Sequence, residues 1–316
     1  MNCKTWVVTC WLALLGCFAV AAAQAQQANK PAAEDWTVLS ISHSKLRAEK
    51  PLVAQVDPLP DFTRELIEVR WRDGDPIQLY VVRPKLASKP PVILYLYSYS
   101  AETRLFLNDE FCRVLIKDGV AAVGFASALS GQRYHDRPMA QWFVSELQES
   151  LGATVHDAQM ILNYLAARGD LDMSRAGMFG DGSGGAIAVL AAAADPRIKA
   201  IDLLDPWGDW PDWLAKSKVV PDDERAGLRK SEFLAKVAPL DPVCWLPRLK
   251  IPVRMEYLRS DGATPPEAID KMRRAAPPQT VFVPREPALA EYRATKGSTF
   301  LDWIKHQLED PRSNAR

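Results

Sequence analysis

Four glycines fall within six positions at Gly180-Asp181-Gly182-Ser183-Gly184-Gly185, after the apolar run 176–179 and ahead of a small-residue run over 183–194. Such a stretch encodes a sharp reversal from strand to helix, since glycine takes backbone angles closed to other residues and lets chain segments touch. A helix of small residues can also lie close on a sheet. The chain around the turn alternates in the same sense. Residues 67–71 and 77–81 are two alternating runs about Asp73-Gly74, which predicts an antiparallel hairpin. The continuous apolar run 92–97 predicts a strand buried on both faces. Residues 110–117 read as helix and 120–125 as strand, and Leu151, Val155, Ala158, Leu162 and Leu165 share one helical face. Strands follow at 198–204, 253–258 and 281–283, and Phe300, Ile304 and Leu308 mark a closing helix. A hairpin feeding successive βα units is an α/β protein, a mainly parallel doubly wound sheet with helices on both faces.

Between Asp205 and Leu249 the rhythm breaks into helix-like pieces that carry Trp207, Trp210, Trp213, Phe233 and Trp245. This predicts a helical cap inserted over residues 205–249. It leaves the carboxyl end of a strand, the side on which open α/β sheets bind ligands. Trp207 and Trp210 are therefore candidate ligand contacts, although large aromatics also serve simply to glue an insertion to the body. The spacing Asp205, Asp209, Asp212 lacks the remainder of a calcium-loop signature, and no metal is expected.

The first residues read as a secretory signal over 1–25. Lys4 precedes an apolar run from Trp6, and Ala23-Gln24-Ala25 offers a cleavage site before Gln26. Leu14-Leu15-Gly16-Cys17 resembles a lipobox, yet the chain stays apolar after Cys17, which favours cleavage after Ala25 and export to the periplasm or medium. No other segment has the length and apolarity of a membrane span. Residues 26–65 form a leader or extension, 66–308 the main domain and 309–316 a tail. Removing the signal leaves Cys112 and Cys244, whose pairing the sequence leaves open. Lys plus Arg and Asp plus Glu both number 39, so there is no basic excess to neutralise a phosphate backbone, and nucleic acid is not an expected partner.

Residues 175–186, Arg-Ala-Gly-Met-Phe-Gly-Asp-Gly-Ser-Gly-Gly-Ala, resemble the nucleophile elbow G-x-S-x-G of α/β-hydrolases. Asp157 and Tyr164 in the preceding helix, and Asp195-Pro196-Arg197-Ile198-Lys199-Ala200 leading into the next strand, look like the prolyl-oligopeptidase-like and dienelactone-hydrolase-like branches. The likeness spans Leu66 to Leu308 and implies the α/β-hydrolase fold with a cap. With Gly180 and Gly184 as the flanking small residues, the nucleophile position holds Gly182, which has no side chain. Ser183 lies one residue later, where the resemblance implies a backbone N–H donor to an oxyanion, with Tyr99 as its counterpart. In Ser260-Asp261-Gly262-Ala263-Thr264-Pro265 the residue matching the family's acid is Asp261. The matching histidine should follow the last strand, yet residues 284–299 contain none. His306 falls on the solvent face of the closing helix, and His43 and His156 read as structural. His135, in the loop after the strand 120–125, is the one candidate base. Tyr97 and Tyr99 stand where relatives have a His-Gly-Gly-like turn, and they would narrow the approach to the site.

The expectation is an exported pseudo-hydrolase that binds a small acyl, ester or peptide ligand without a cofactor. The rival is an active serine hydrolase using Ser183, His135 and Asp261. A third reading takes Gly180, Gly182 and Gly185 as a dinucleotide fingerprint, with Asp202 or Asp205 following at the next strand. The turn comes after several earlier strands, and the Asp195–Ala200 join is hydrolase-like; both points oppose it.

Overall fold

In the computed structural model the residues described are 34–72, 75–96, 100–129, 139–258, 263–285 and 298–309. The signal segment, the hairpin tip Asp73-Gly74 and the tail from 310 lie outside them. From Asp35 onward the chain forms one unit around a nine-stranded sheet. The expected hairpin is β2 (Phe62–Val69) and β3 (Ile77–Pro84), antiparallel and closing at Val69 opposite Ile77. A further strand, β1 (Leu52–Pro58), joins β2 at the sheet edge. Its sequence carries no strand signal because neither face is buried: Leu52, Val53 and Val56 are all half exposed or more.

β4 (Pro91–Leu96), β5 (Ala121–Phe125), β6 (Asp172–Asp181), β7 (Ile198–Leu204), β8 (Val253–Leu258) and β9 (Val281–Arg285) complete the sheet in the order β1-β2-β3-β5-β4-β6-β7-β8-β9. All pairings from β5 to β9 are parallel, and those from β1 to β5 antiparallel. Parallel neighbours require crossover helices, which cover both faces. β4 shows the result most directly. Val92, Leu94 and Leu96 enter the core beneath α2 (Met139–Arg168) and α3 (Ser183–Ala194), while Ile93 and Tyr95 enter the opposite core with α1 (Asp109–Ile116) and α9 (Ser298–Gln307). An unbroken apolar strand is what two cores demand.

On α2 the five residues expected on one face, Leu151, Val155, Ala158, Leu162 and Leu165, are all fully buried. Arg168 ends this helix on Glu65 of β2, 2.5 Å away, and on Asp170 at 3.0 Å. Between β7 and β8 the chain runs through α4 (Trp210–Lys216), α5 (Asp222–Leu228), α6 (Ser231–Val237) and α7 (Pro242–Trp245), the expected helical insertion. α8 (Pro266–Ala275) follows β8. Among the described residues no helix is long and apolar enough to cross a membrane.

Candidate functional site

β6 ends at Asp181, α3 begins at Ser183, and Gly182 makes the whole turn with φ 55° and ψ −114°. That conformation lies outside the left-handed helical region and is open only to glycine without strain. Its backbone is tied on both sides. The Gly182 N–H donates to the Leu204 carbonyl at 2.9 Å, and its carbonyl accepts from the Trp207 N–H at 3.0 Å and the Gly185 N–H at 3.1 Å. The flanking glycines are fixed by contact: a Cβ on Gly180 would collide with the Gly184 carbonyl, and one on Gly184 with the Leu96 carbonyl of β4. This is the close strand-to-helix approach that the nucleophile elbow requires. Gly182 itself carries no side chain at this turn.

Ser183 is fully buried at the first position of α3, and its Oγ is shielded from solvent. Asp261, His135, Tyr97 and Tyr99 lie outside the described residues. The other histidines are engaged elsewhere or exposed. The His156 ring contacts the Val38 carbonyl at 2.7 Å, His306 pairs with Glu309 at the surface, and His43 is exposed.

The carboxyl end of β7 holds a carboxylate that enters the sequence patterns only through the calcium-like spacing and the dinucleotide fingerprint. Asp205 sits at φ 43°, rare outside glycine, and is 5% exposed. Its Oδ2 accepts from the Ala263 N–H at 2.7 Å and the Thr264 N–H at 3.4 Å. The Thr264 hydroxyl in turn contacts the carbonyls of Asp205 and Pro206. Asp205 therefore anchors the segment that follows Asp261. Burial pushes its pKa up to about 6, against the lowering effect of those backbone N–H groups. The signal for it was an aspartate directly after a strand's last apolar residue, on the ligand side of the sheet.

Asp209 and Asp212 share Lys271, at 2.9 and 2.7 Å. Lys271 holds Asp212 down at about 2, while burial raises Asp209. The three aspartates thus divide between a loop anchor and a lysine clamp. Asp202 is also spoken for: its carboxylate takes Arg254 at 2.5 and 2.9 Å.

Trp207 and Trp210 are 2% and 1% exposed. Trp207 packs on Trp213 with ring centres 4.4 Å apart, and Trp210 meets Trp213 edge-on while its indole N–H donates to the Leu240 carbonyl at 3.0 Å. In this arrangement they join the cap to the body and offer little surface to a ligand. Cys112 and Cys244 are both free thiols; Cys112 is buried, and burial raises its pKa to about 11.

No protein-family model matches the sequence, and no curated protein matches it either. Solved structures do match. Acetyl xylan esterase 1 from Thermoanaerobacterium sp. aligns with a TM-score of 0.61 at 13% identity, over 84% of this chain and 90% of that one. An S-formylglutathione hydrolase from Agrobacterium tumefaciens aligns at 0.60 and 14% identity, over 81% and 99%. A cold-adapted esterase from an Arctic intertidal metagenomic library aligns at 0.56 and 15%, over 83% and 100%. The mostly parallel nine-stranded sheet and these neighbours agree that the chain has the α/β-hydrolase fold. At such identities the likeness extends to the fold alone.

Proposed function

We propose that this protein is a pseudo-hydrolase, exported after loss of residues 1–25, that uses the hydrolase scaffold to hold a small acyl, ester or peptide ligand. One observation carries the reading: Gly182 occupies the elbow apex in a turn that glycine alone takes without strain, while the adjacent Ser183 hydroxyl is buried. An elbow whose glycines still enforce the close approach of β6, α3 and β4 has kept its architecture and lost its nucleophile. The names of the fold neighbours, an acetyl xylan esterase and an S-formylglutathione hydrolase, favour an acyl-bearing ligand class, and open α/β sheets bind ligands at the carboxyl ends of their strands.

The test is hydrolysis of activated short- and medium-chain esters by the purified chain lacking residues 1–25, beside Ser183→Ala and Asp261→Asn. Background rates in all three proteins are expected. Turnover by the parent that both substitutions abolish would overturn the reading in favour of a serine hydrolase built on Ser183, His135 and Asp261.

A further inference from the structure

A groove of about 490 Å³ opens at the carboxyl end of β8, within the size range of small-molecule sites. Its walls come from three places: Lys216 to Lys218 at the end of α4, Tyr257 and Leu258 of β8, and the first turns of α8. Leu258 and Ile269 give it an apolar side. The Asp205 hydrogen bonds to Ala263 and Thr264 fix the segment that lines its floor.

The cations along it differ in one respect. Lys216 is neutralised by Asp212 at 3.0 Å and Glu267 at 3.1 Å. Arg273 is exposed, and its guanidinium rests on aromatic rings, 5.0 Å from the Tyr257 centroid and 5.4 Å from that of Phe282. Among the described residues no carboxylate pairs with it, Asp270 one turn earlier included. By contrast Arg64, Arg168, Arg197, Arg225 and Arg254 each hold a carboxylate within 3.0 Å. The ring contacts restrict the side chain, and a guanidinium with no carboxylate partner keeps N–H donors for one, which arginine takes through two parallel hydrogen bonds.

From this geometry we propose that the groove binds a monocarboxylate with an apolar body, its carboxylate on Arg273 and its body against Leu258 and Ile269. The proposal deepens the binding reading above and rests on it. Asp270 on the same wall repels a more highly charged anion more strongly than a monoanion, which sets a monocarboxylate apart from a phosphate.

The experiment is thermal melting of the purified chain with hexanoate, with its neutral isostere hexanamide, and with inorganic phosphate. Arg273→Gln is run alongside Arg248→Gln, whose guanidinium stacks on Trp245 away from the groove. Hexanoate should raise the melting temperature of the parent saturably, and the other two compounds should not. Arg273→Gln should weaken hexanoate by about tenfold or more, and Arg248→Gln should behave as the parent. Equal shifts with hexanoate and hexanamide, an equal shift with phosphate, or undiminished hexanoate binding by Arg273→Gln would each overturn the site. Should Arg273→Gln fail to fold, the comparison of acid with amide on the parent decides alone. Ester turnover by the parent would overturn the non-catalytic reading while leaving this melting result standing, so the two failures are distinguishable.

Discussion

Glycine at position 182 takes a strand-to-helix turn, φ 55° and ψ −114°, that any side chain there would strain. The turn is enforced by its neighbours, because Gly180 and Gly184 lie against carbonyls of the next segments. That much was legible in the sequence, since glycine spacing reports backbone contact directly. Asp205 was not, because its role depends on the Ala263 and Thr264 amides, more than fifty residues away. It yields a pH prediction. The ordinary aspartate pKa is 3.8 and the folded value is about 6, so the native state binds the proton more tightly than the unfolded chain does. The ionised, buried form therefore carries a penalty above about pH 6 that is relieved as pH falls toward 4, by up to ~3 kcal/mol for a shift of about two units. Asparagine keeps the acceptor oxygen for the two amides and removes the charge. In urea unfolding from pH 4 to 7.5, Asp205→Asn should gain on the parent progressively as pH rises. A difference that stays flat across that range would mean that Asp205 titrates as it does in water.

Elements with a periodic apolar pattern were read correctly because burial wrote the pattern: β4 faces two cores, and α2 shows one fully buried stripe. Those without it escaped or were cut short. β1 buries no face, and β6 begins at Asp172, ahead of its apolar portion, because Asp172 to Arg175 stay partly exposed. The cap is a third case. Its tryptophans announced an insertion, but what ties it down is Asp241, which accepts the N–H groups of Asp209 at 2.9 Å, Trp210 at 3.0 Å and Val243 at 3.0 Å. One carboxylate thus starts α7 and fixes the chain entering α4. Asp241→Ala would leave the buried amides of Asp209 and Trp210 unpaired, and about 2–4 kcal/mol of stability should go with them. Asp241→Asn, which retains one acceptor oxygen, should lose less. Chemical denaturation of both variants gives the ordering, and an alanine variant as stable as the parent would show that the tryptophan packing alone secures the cap.

Across the molecule, the half of the sheet beyond the elbow is crossed by a chain of charges buried between strands. Arg254 of β8 holds Asp202 of β7 at 2.5 Å and Glu256 at 3.2 Å, Arg285 of β9 pairs with Glu256, and the Arg254 guanidinium lies 5.2 Å from the ring centre of Trp303 on α9. Asp202 and Glu256 have no solvent exposure. The strand pattern hid this, because Arg254 and Glu256 alternate with Val253 and Met255 and read as a solvent face. Their partners lie in other strands, and one sequence does not say which charges meet. Ionic groups this deep offset a large desolvation cost only while all partners are present. Arg254→Met should therefore cost about 3–5 kcal/mol, since it strips the guanidinium from a fully buried Asp202 carboxylate. Adding Asp202→Asn should recover a substantial part of that loss, because the charge that had become costly is gone while Glu256 keeps Arg285. Urea denaturation of the single and double variants measures the coupling. A double variant no more stable than Arg254→Met would place the stabilisation in the packing of the arginine stem and the Trp303 ring instead of in the charges.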